Sequence, residues 1–272
     1  MQILYAVLIV GGIGLVLGAA LAIVSAVMAV PSDKKADDIT EMLPGANCGA
    51  CGFSGCSGYA AALASGKTDS TNLCKPGGND VAKKVAAYLG VAADEVEPST
   101  AYVMCRGTRD NAQFKMDYFG EGSCALANQL YGGPKECLNG CLGFGDCAKA
   151  CPYNAITVEN GVAKVHPERC RACETCVKAC PKGLIEMVPL GKRKAVVSCH
   201  NTEKGGVARK QCTNACIGCM KCQKACPVEA VTVTDFHAHV DQSKCIGCGK
   251  CVKECPVGCI NVIYLPDYHT AV

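Results

Sequence analysis

The sequence predicts a single N-terminal transmembrane helix followed by small α+β modules held together by cysteine. Three observations predict it. Residues Ile3 to Val30 form an uncharged run. Cysteine occurs 25 times among 272 residues. A segment of the C-terminal half repeats without a gap at an offset of 75 residues. Trp is absent and aromatic residues make up 5% of the chain, so a conventional core is hard to build. Staples of metal or disulfide are the usual substitute. A formal net charge of +3 leaves no electrostatic footprint for nucleic acid.

The run ILYAVLIVGGIGLVLGAALAIVSAVMAV has 28 residues, enough to span a bilayer with some tilt. A signal peptide fits less well, because no Lys or Arg precedes the run and the run is too long. Residues 1–30 are therefore expected to be an uncleaved anchor, with 3–30 in the membrane. Gly14 and Gly18 have the spacing that lets another helix approach closely. Lys34 and Lys35 follow at once, so the positive-inside rule places the remaining chain on the cytoplasmic side of the cytoplasmic membrane. That compartment is reducing and disfavours structural disulfides. The cysteines then read as thiolates that bind metal.

A polar linker, 31–38, leads into a first cysteine module, 31–97 with the linker. Its stretches GYAAALASGK and DVAKKVAAYLG have the apolar spacing of short helices. A connecting region, 98–134, carries Cys105 and Cys124. The repeat then lays 135–190 on 210–265, with 191–209 as a linker and 210–272 as the last domain. Cys141, Cys147, Cys151, Cys170, Cys173, Cys176 and Cys180 fall on Cys216, Cys222, Cys226, Cys245, Cys248, Cys251 and Cys255. Between the two cysteine groups of each copy lies a strand, a turn and a second strand.

The spacing Cys-x2-Cys-x2-Cys-x3-Cys-Pro appears intact three times, from Cys170, Cys216 and Cys245. Each copy resembles the bacterial two-cluster ferredoxins. In that family three cysteines of one motif bind a [4Fe–4S] cluster and the fourth binds its neighbour. The resemblance implies four-cysteine sets at Cys216, Cys219, Cys222 and Cys255, at Cys245, Cys248, Cys251 and Cys226, and at Cys170, Cys173, Cys176 and Cys151. Zinc ribbons also use Cys-x2-Cys knuckles, but do not need three such spacings with Cys-Pro. The remaining motif, CLNGCLGFGDCAKACP, is broken: Phe144 stands where the repeat has Cys219. The alignment offers Cys137 as the substitute, giving Cys137, Cys141, Cys147 and Cys180.

The first module spaces its cysteines differently, as Cys48, Cys51, Cys56 and Cys74, glycine-lined and sufficient for one cubane. NCGACGFSGC followed by a helix and CKPGG resembles the four-iron domain after the anchor in the B subunit of the Rnf complex. That complex is the ion-translocating ferredoxin:NAD oxidoreductase. The resemblance covers the whole chain, in a long form with two ferredoxin-like copies. It implies five [4Fe–4S] clusters, reduced ferredoxin as donor, and other Rnf membrane and NAD-reducing subunits as partners. It also implies part of a translocase whose complete active site is not on this chain. A polyferredoxin subunit of a membrane hydrogenase or heterodisulfide-type reductase is the alternative, and a non-redox metal scaffold is a third.

Five cysteines remain. Cys259 takes the place of Ala155 and Ala230 after Cys-Pro, and reads as a small buried hydrophobe. Cys105, Cys124, Cys199 and Cys212 are the number a sixth cluster needs. His200 reads as a surface residue, and His237 and His239 as solvated. Lys192, Arg193 and Lys194 read as a charged loop, with docking of an acidic ferredoxin as the functional alternative. No catalytic nucleophile–base pair and no dinucleotide fingerprint stand out.

Overall fold

A computed structural model describes residues 2–27 and 33–267. The first helix, α1, runs Gln2–Val27; Met1 and 28–30 of the expected anchor lie outside the described residues. α1 has 26 residues, none charged, and is about 39 Å long at 1.5 Å per residue. Within it, side chains are described for Tyr5 and for 10–25. Among the described residues no helix is long and apolar enough to cross a membrane. That described run is shorter than a bilayer-crossing segment, although the helical backbone continues on both sides of it. A spanning α1 therefore stands as an expectation of the sequence.

The first cysteine module packs three helices. α2 (Lys34–Met42) starts inside the stretch expected to be a linker, because Asp33 caps it by accepting from the Lys35 amide at 3.0 Å. α3 (Cys56–Ala64) and α4 (Gly78–Leu89) coincide with the two stretches of helical spacing. Gly90, at φ 70°, ends α4 in the left-handed conformation that glycine tolerates. Ile39, Leu43, Tyr59, Leu63 and Val85 form the core, with Cys74 against it.

The copies that follow share one plan. The first contains α6 (Asp146–Lys149), the hairpin β2 (Ile156–Glu159) and β3 (Val162–Val165), α7 (Thr175–Ala179) and β4 (Ile185–Pro189). The second is preceded by α8 (Gly205–Gln211) and contains α9 (Lys221–Ala225), β6 (Val231–Thr234) and β7 (His237–Val240), α10 (Lys250–Lys253) and β8 (Ile260–Tyr264). Both hairpins turn through two residues of positive φ, Asn160 and Gly161 in one, Asp235 and Phe236 in the other. Such turns match the twist of paired strands. Gly143 and Gly218 press against these turns: a Cβ would lie 2.6 Å from the Gly161 oxygen or 2.8 Å from the Phe236 Cα.

The stretches read as connectors are part of the copies. β1 (Ser99–Val103) pairs antiparallel with β4, Ser99 opposite Pro189 and Val103 opposite Ile185. β5 (Arg193–Val197) pairs with β8 in the same way, Arg193 opposite Tyr264 and Val197 opposite Ile260. Met104, Val188 and Val196 form a small apolar core that joins the two copies. Lys194 is therefore not in a loop. It is buried, and its Nζ donates to the carbonyls of Gln242 and Cys245. Lys192 pairs with Glu97 at 2.7 Å. A docking patch made of all three basic residues is ruled out by the burial of Lys194.

Candidate metal centres

Every motif is built alike. Its third cysteine sits second in a short helix: Cys147 in α6, Cys176 in α7, Cys222 in α9 and Cys251 in α10. The residue before each helix is left-handed: Gly145, Glu174, Met220 and Gly249, with φ of 81°, 58°, 60° and 76°. Four residues after a Cys-Pro cysteine, a buried amide turns back to its sulfur. Ala155, Leu184 and Ala230 donate to Cys151, Cys180 and Cys226 at 3.4, 3.5 and 3.3 Å. The added strands do the same, Ala101 to Cys170 at 3.5 Å and Ala195 to Cys245 at 3.4 Å. Amides aimed at sulfur favour a thiolate over a thiol.

Four of the expected groupings are brought together. Burial pushes the Cys74 thiol up to about 11, and Cys56, Cys48 and Cys51 push the same way. Burial raises Cys176 to about 12, with Cys170, Cys173 and Cys151 adding to it. Cys222 goes up to about 11 through burial and Cys216, with Cys219 and Cys255 also nearby. Burial raises Cys251 beside Cys245, Cys248 and Cys226. Crowded buried thiols resist ionisation for want of a cation. An iron core reverses that, since metal-bound thiols deprotonate. All 25 cysteines are free of disulfides. Among the described residues no three His, Cys, Asp or Glu side chains converge on a single metal ion. A four-sulfur, buried, amide-lined set suits a cage of irons.

The fifth grouping is different from the one expected. Cys141, Cys147 and Cys180 line one pocket with Cys124, and Cys137 is not among its lining residues. Burial pushes Cys147 up to about 12, followed by Cys141, Cys124 and Cys180. Cys124 opens α5 (Cys124–Gln129), a helix within the connecting region. Asp146, beside Cys147, holds it there by accepting from the Ser123 hydroxyl at 3.0 Å and the Ala125 amide at 2.9 Å. Phe144 packs against Tyr118 of the same region, with ring centres 5.0 Å apart and planes tilted by 53°. Phe144, at the place where the other motifs have a cysteine, thus packs the segment that brings Cys124 to this pocket.

Cys137 lies in another pocket, with Cys105, Cys199 and Cys212. The expected quartet of spare cysteines therefore exchanges Cys124 for Cys137.

Three smaller readings are resolved as well. Cys259 is 1% exposed, as its alignment with Ala155 suggests, and its sulfur lies 3.6 Å from that of Cys255. His237 is not solvated: it is half-buried, packs against His200 with ring centres 4.9 Å apart and has its Nε2 2.7 Å from the Cys199 oxygen. His200 is likewise half-buried, its Nδ1 buried without a hydrogen-bond partner. His239 is exposed.

The first module docks on the first copy. The Lys178 ammonium donates to the Cys48 carbonyl at 3.0 Å. The Tyr153 hydroxyl lies between the two sites: burial pushes its pKa up, and Cys173 on one side and Cys48 and Cys74 on the other add to the shift.

Comparison with known proteins agrees with this layout. Residues 43–76 match an Fe-S cluster family, and 136–184, 169–230 and 209–262 match 4Fe-4S dicluster domain families. Over 243 residues the chain is 42% identical to the B subunit of the Na(+)-translocating ferredoxin:NAD(+) oxidoreductase complex of Acetobacterium woodii, covering 89% of this chain and 72% of that one. It is 37% identical to the B subunit of the ion-translocating oxidoreductase complex of Methanosarcina acetivorans, over 87% and 89% of the two chains. It is 40% identical to the B subunit of the proton-translocating ferredoxin:NAD(+) oxidoreductase complex of Clostridium ljungdahlii, over 85% and 81%.

Proposed function

Since the chain belongs to the B-subunit family of ion-translocating ferredoxin:NAD oxidoreductase (Rnf) complexes and carries several [4Fe–4S] clusters, we propose that it is their membrane-anchored electron-transfer subunit. It takes electrons from reduced ferredoxin and passes them to membrane subunits of the complex.

One observation carries this reading: of the 25 cysteines only Cys219 and Cys248 are exposed, and both lie in the C-terminal copy. That copy is the receiving end. The set Cys48, Cys51, Cys56 and Cys74 follows α1 in the chain, and is the delivering end next to the membrane. Lys34 and Lys35 at the start of α2 hold it on the cytoplasmic side.

When bound, each [4Fe–4S] group supplies one-electron chemistry at a potential set by hydrogen bonds, burial and charge around its sulfurs. The chain's own residues do the positioning. Backbone amides of Ala101, Ala155, Leu184, Ala195 and Ala230 point at cysteine sulfurs. Phe144 and Tyr118 close one site. Lys178 ties the first module to the first copy, which shortens the step between them.

The test is Cys48→Ser in the assembled complex. Ferredoxin should still reduce the distal sites, seen by EPR, while transfer to the membrane subunits stops. Loss of distal reduction instead would mean that electrons run the other way along the chain.

A further inference from the structure

The second copy holds a cysteine outside its two four-cysteine sets, at a place where the other motifs carry hydrocarbon. Four residues after each Cys-Pro cysteine stands a buried residue: Ala155, Leu184, Ala230 and Cys259. The repeat lays Leu184 on Cys259. The Cys259 sulfur lies 3.6 Å from that of Cys255, and its side chain is hydrogen-bonded to Cys216 as well. Cys216 and Cys255 belong to one set, with Cys219 and Cys222.

Backbone amides reach the sulfurs of both copies at matching places. Cys216 accepts from the amides of Gly218 and Ala238, and Cys141 from those of Gly143 and Ala163. Cys255 accepts from the Cys259 amide as Cys180 does from that of Leu184. The thiol is what the second copy adds. Which sulfur donates follows from the chemistry of the set. Iron-bound cysteines are thiolates and have no proton to give. Cys259 is then the one of the three that keeps its hydrogen, and it has two acceptors. A third thiolate there would add a buried charge of like sign, which burial and both neighbours oppose.

We infer that the Cys259 thiol donates to the sulfurs of Cys216 and Cys255 and so raises the reduction potential of the [4Fe–4S] group held by Cys216, Cys219, Cys222 and Cys255. The reduced group carries one more negative charge than the oxidised one, so a donor at its sulfurs stabilises it more. Cys259 ligates nothing; it is a positioning residue that acts through two ligands. It biases an electron in the C-terminal copy toward this set and away from the set at Cys245. The inference rests on reading those four cysteines as one set, and not on the electron donor or the direction proposed above.

The test is a redox titration of the anaerobically purified full-length chain, followed by EPR, with iron and sulfide counted in each variant. Cys259→Ala supplies the side chain that Ala155 and Ala230 place after their own motifs, so the fold should tolerate it. Iron should stay at the level of the unaltered chain. One group should become harder to reduce by about tenfold, about 59 mV for a one-electron couple, with the other signals unmoved. Cys259→Ser keeps a donor and should recover most of that shift. Unmoved potentials in Cys259→Ala at full iron overturn the inference. An equal shift in Cys259→Ser also overturns it, because packing in the slot would then be the cause. Loss of about four iron in Cys259→Ala would make Cys259 a ligand and overturns it too. Cys222→Ala tests the set separately: full iron in that variant would sink the four-cysteine reading. Loss of about four iron there, with unmoved potentials in Cys259→Ala, would leave the set standing and sink only the thiol donor.

Discussion

The two ferredoxin-like copies answer the same design problem in opposite ways. The interval between the added strand and the repeat is 104–134 in the first copy but only 198–209 in the second. The first copy uses its nineteen extra residues to carry Tyr118 and Cys124, which close over Phe144 and Cys147. Where the second copy keeps a complete motif, Cys219 is exposed; its counterpart Phe144 is half-buried. Cys248 is exposed too, whereas the matching Cys173 is buried, in a pocket that Tyr153 and Met187 also line. The segment that brings Cys124 to the first copy therefore also covers it. The two complete motifs of the second copy leave Cys219 and Cys248 open, which suits a surface that meets a soluble redox partner.

The largest effect should come from Cys124→Ser. It should remove about 4 iron per chain, one cubane, and leave the C-terminal copy unchanged. Adding Phe144→Cys should restore the iron, because it rebuilds in the first copy the arrangement of the second. Iron analysis and EPR of both variants decide it. Full iron in Cys124→Ser would break the comparison and return the site to Cys137.

That exchange shows where sequence reasoning stops. The sets at Cys48, Cys170, Cys216 and Cys245 were legible because three cysteines of each sit a few residues apart and the fourth comes with the family pattern that each resembles. Cys124 is seventeen residues ahead of Cys141. Asp146, the Tyr118–Phe144 contact and the packing of Cys124 and Ala127 against Leu142 decide where it lands, and none of them leaves a spacing to read. Cys137 has the nearer sequence position and the matching repeat partner, so alignment favoured it. The strands β1 and β5 were missed for a related reason. They repeat at an offset of 94, not 75, because the insertion lies between strand and motif. Lys194 read as a loop residue by its charge, yet it is the buried clamp on the Cys245 turn.

A smaller effect should follow from Asp146→Ala, which frees α5 without touching a sulfur. Partial burial would raise the Asp146 carboxyl, but hydrogen bonds from Ala125, Cys124 and Ser123 outweigh it and hold the pKa below the usual carboxylate range. A lowered folded pKa stabilises above the unfolded value, about 3.9, and is lost as pH falls through the folded one. The contribution is therefore constant from pH 7 to 5 and disappears only in stronger acid. The carboxyl is only part-buried and water screens it, so about 1 kcal/mol is the expected cost. Hydrogen exchange at Cys124 to Ala127 checks it: protection should be flat across pH 5–7 in the natural chain and reduced throughout in the variant. The second copy has no such lid, and amides near Cys222 should not respond.

The smallest effect separates the copies at a single backbone position. The residue before the motif helix is Gly145 in the first copy and Met220 in the second, both left-handed, with φ of 81° and 60°. Glycine adopts that conformation without strain, and a side chain with a Cβ does not. Met220 is 48% exposed, so its side chain contributes little packing that would be lost. Met220→Gly should stabilise the second copy by about 0.5 kcal/mol, the gain at φ > 0 being partly offset by the extra freedom of the unfolded chain. Gly145→Met should cost more, because its Cβ would meet the Val158 Cγ2 at 3.2 Å on top of the strain. Thermal unfolding of the two cluster-loaded variants should therefore move in opposite directions. Equal shifts would mean that the two motif helices start from equivalent backbone, and that the copies differ only in what covers them.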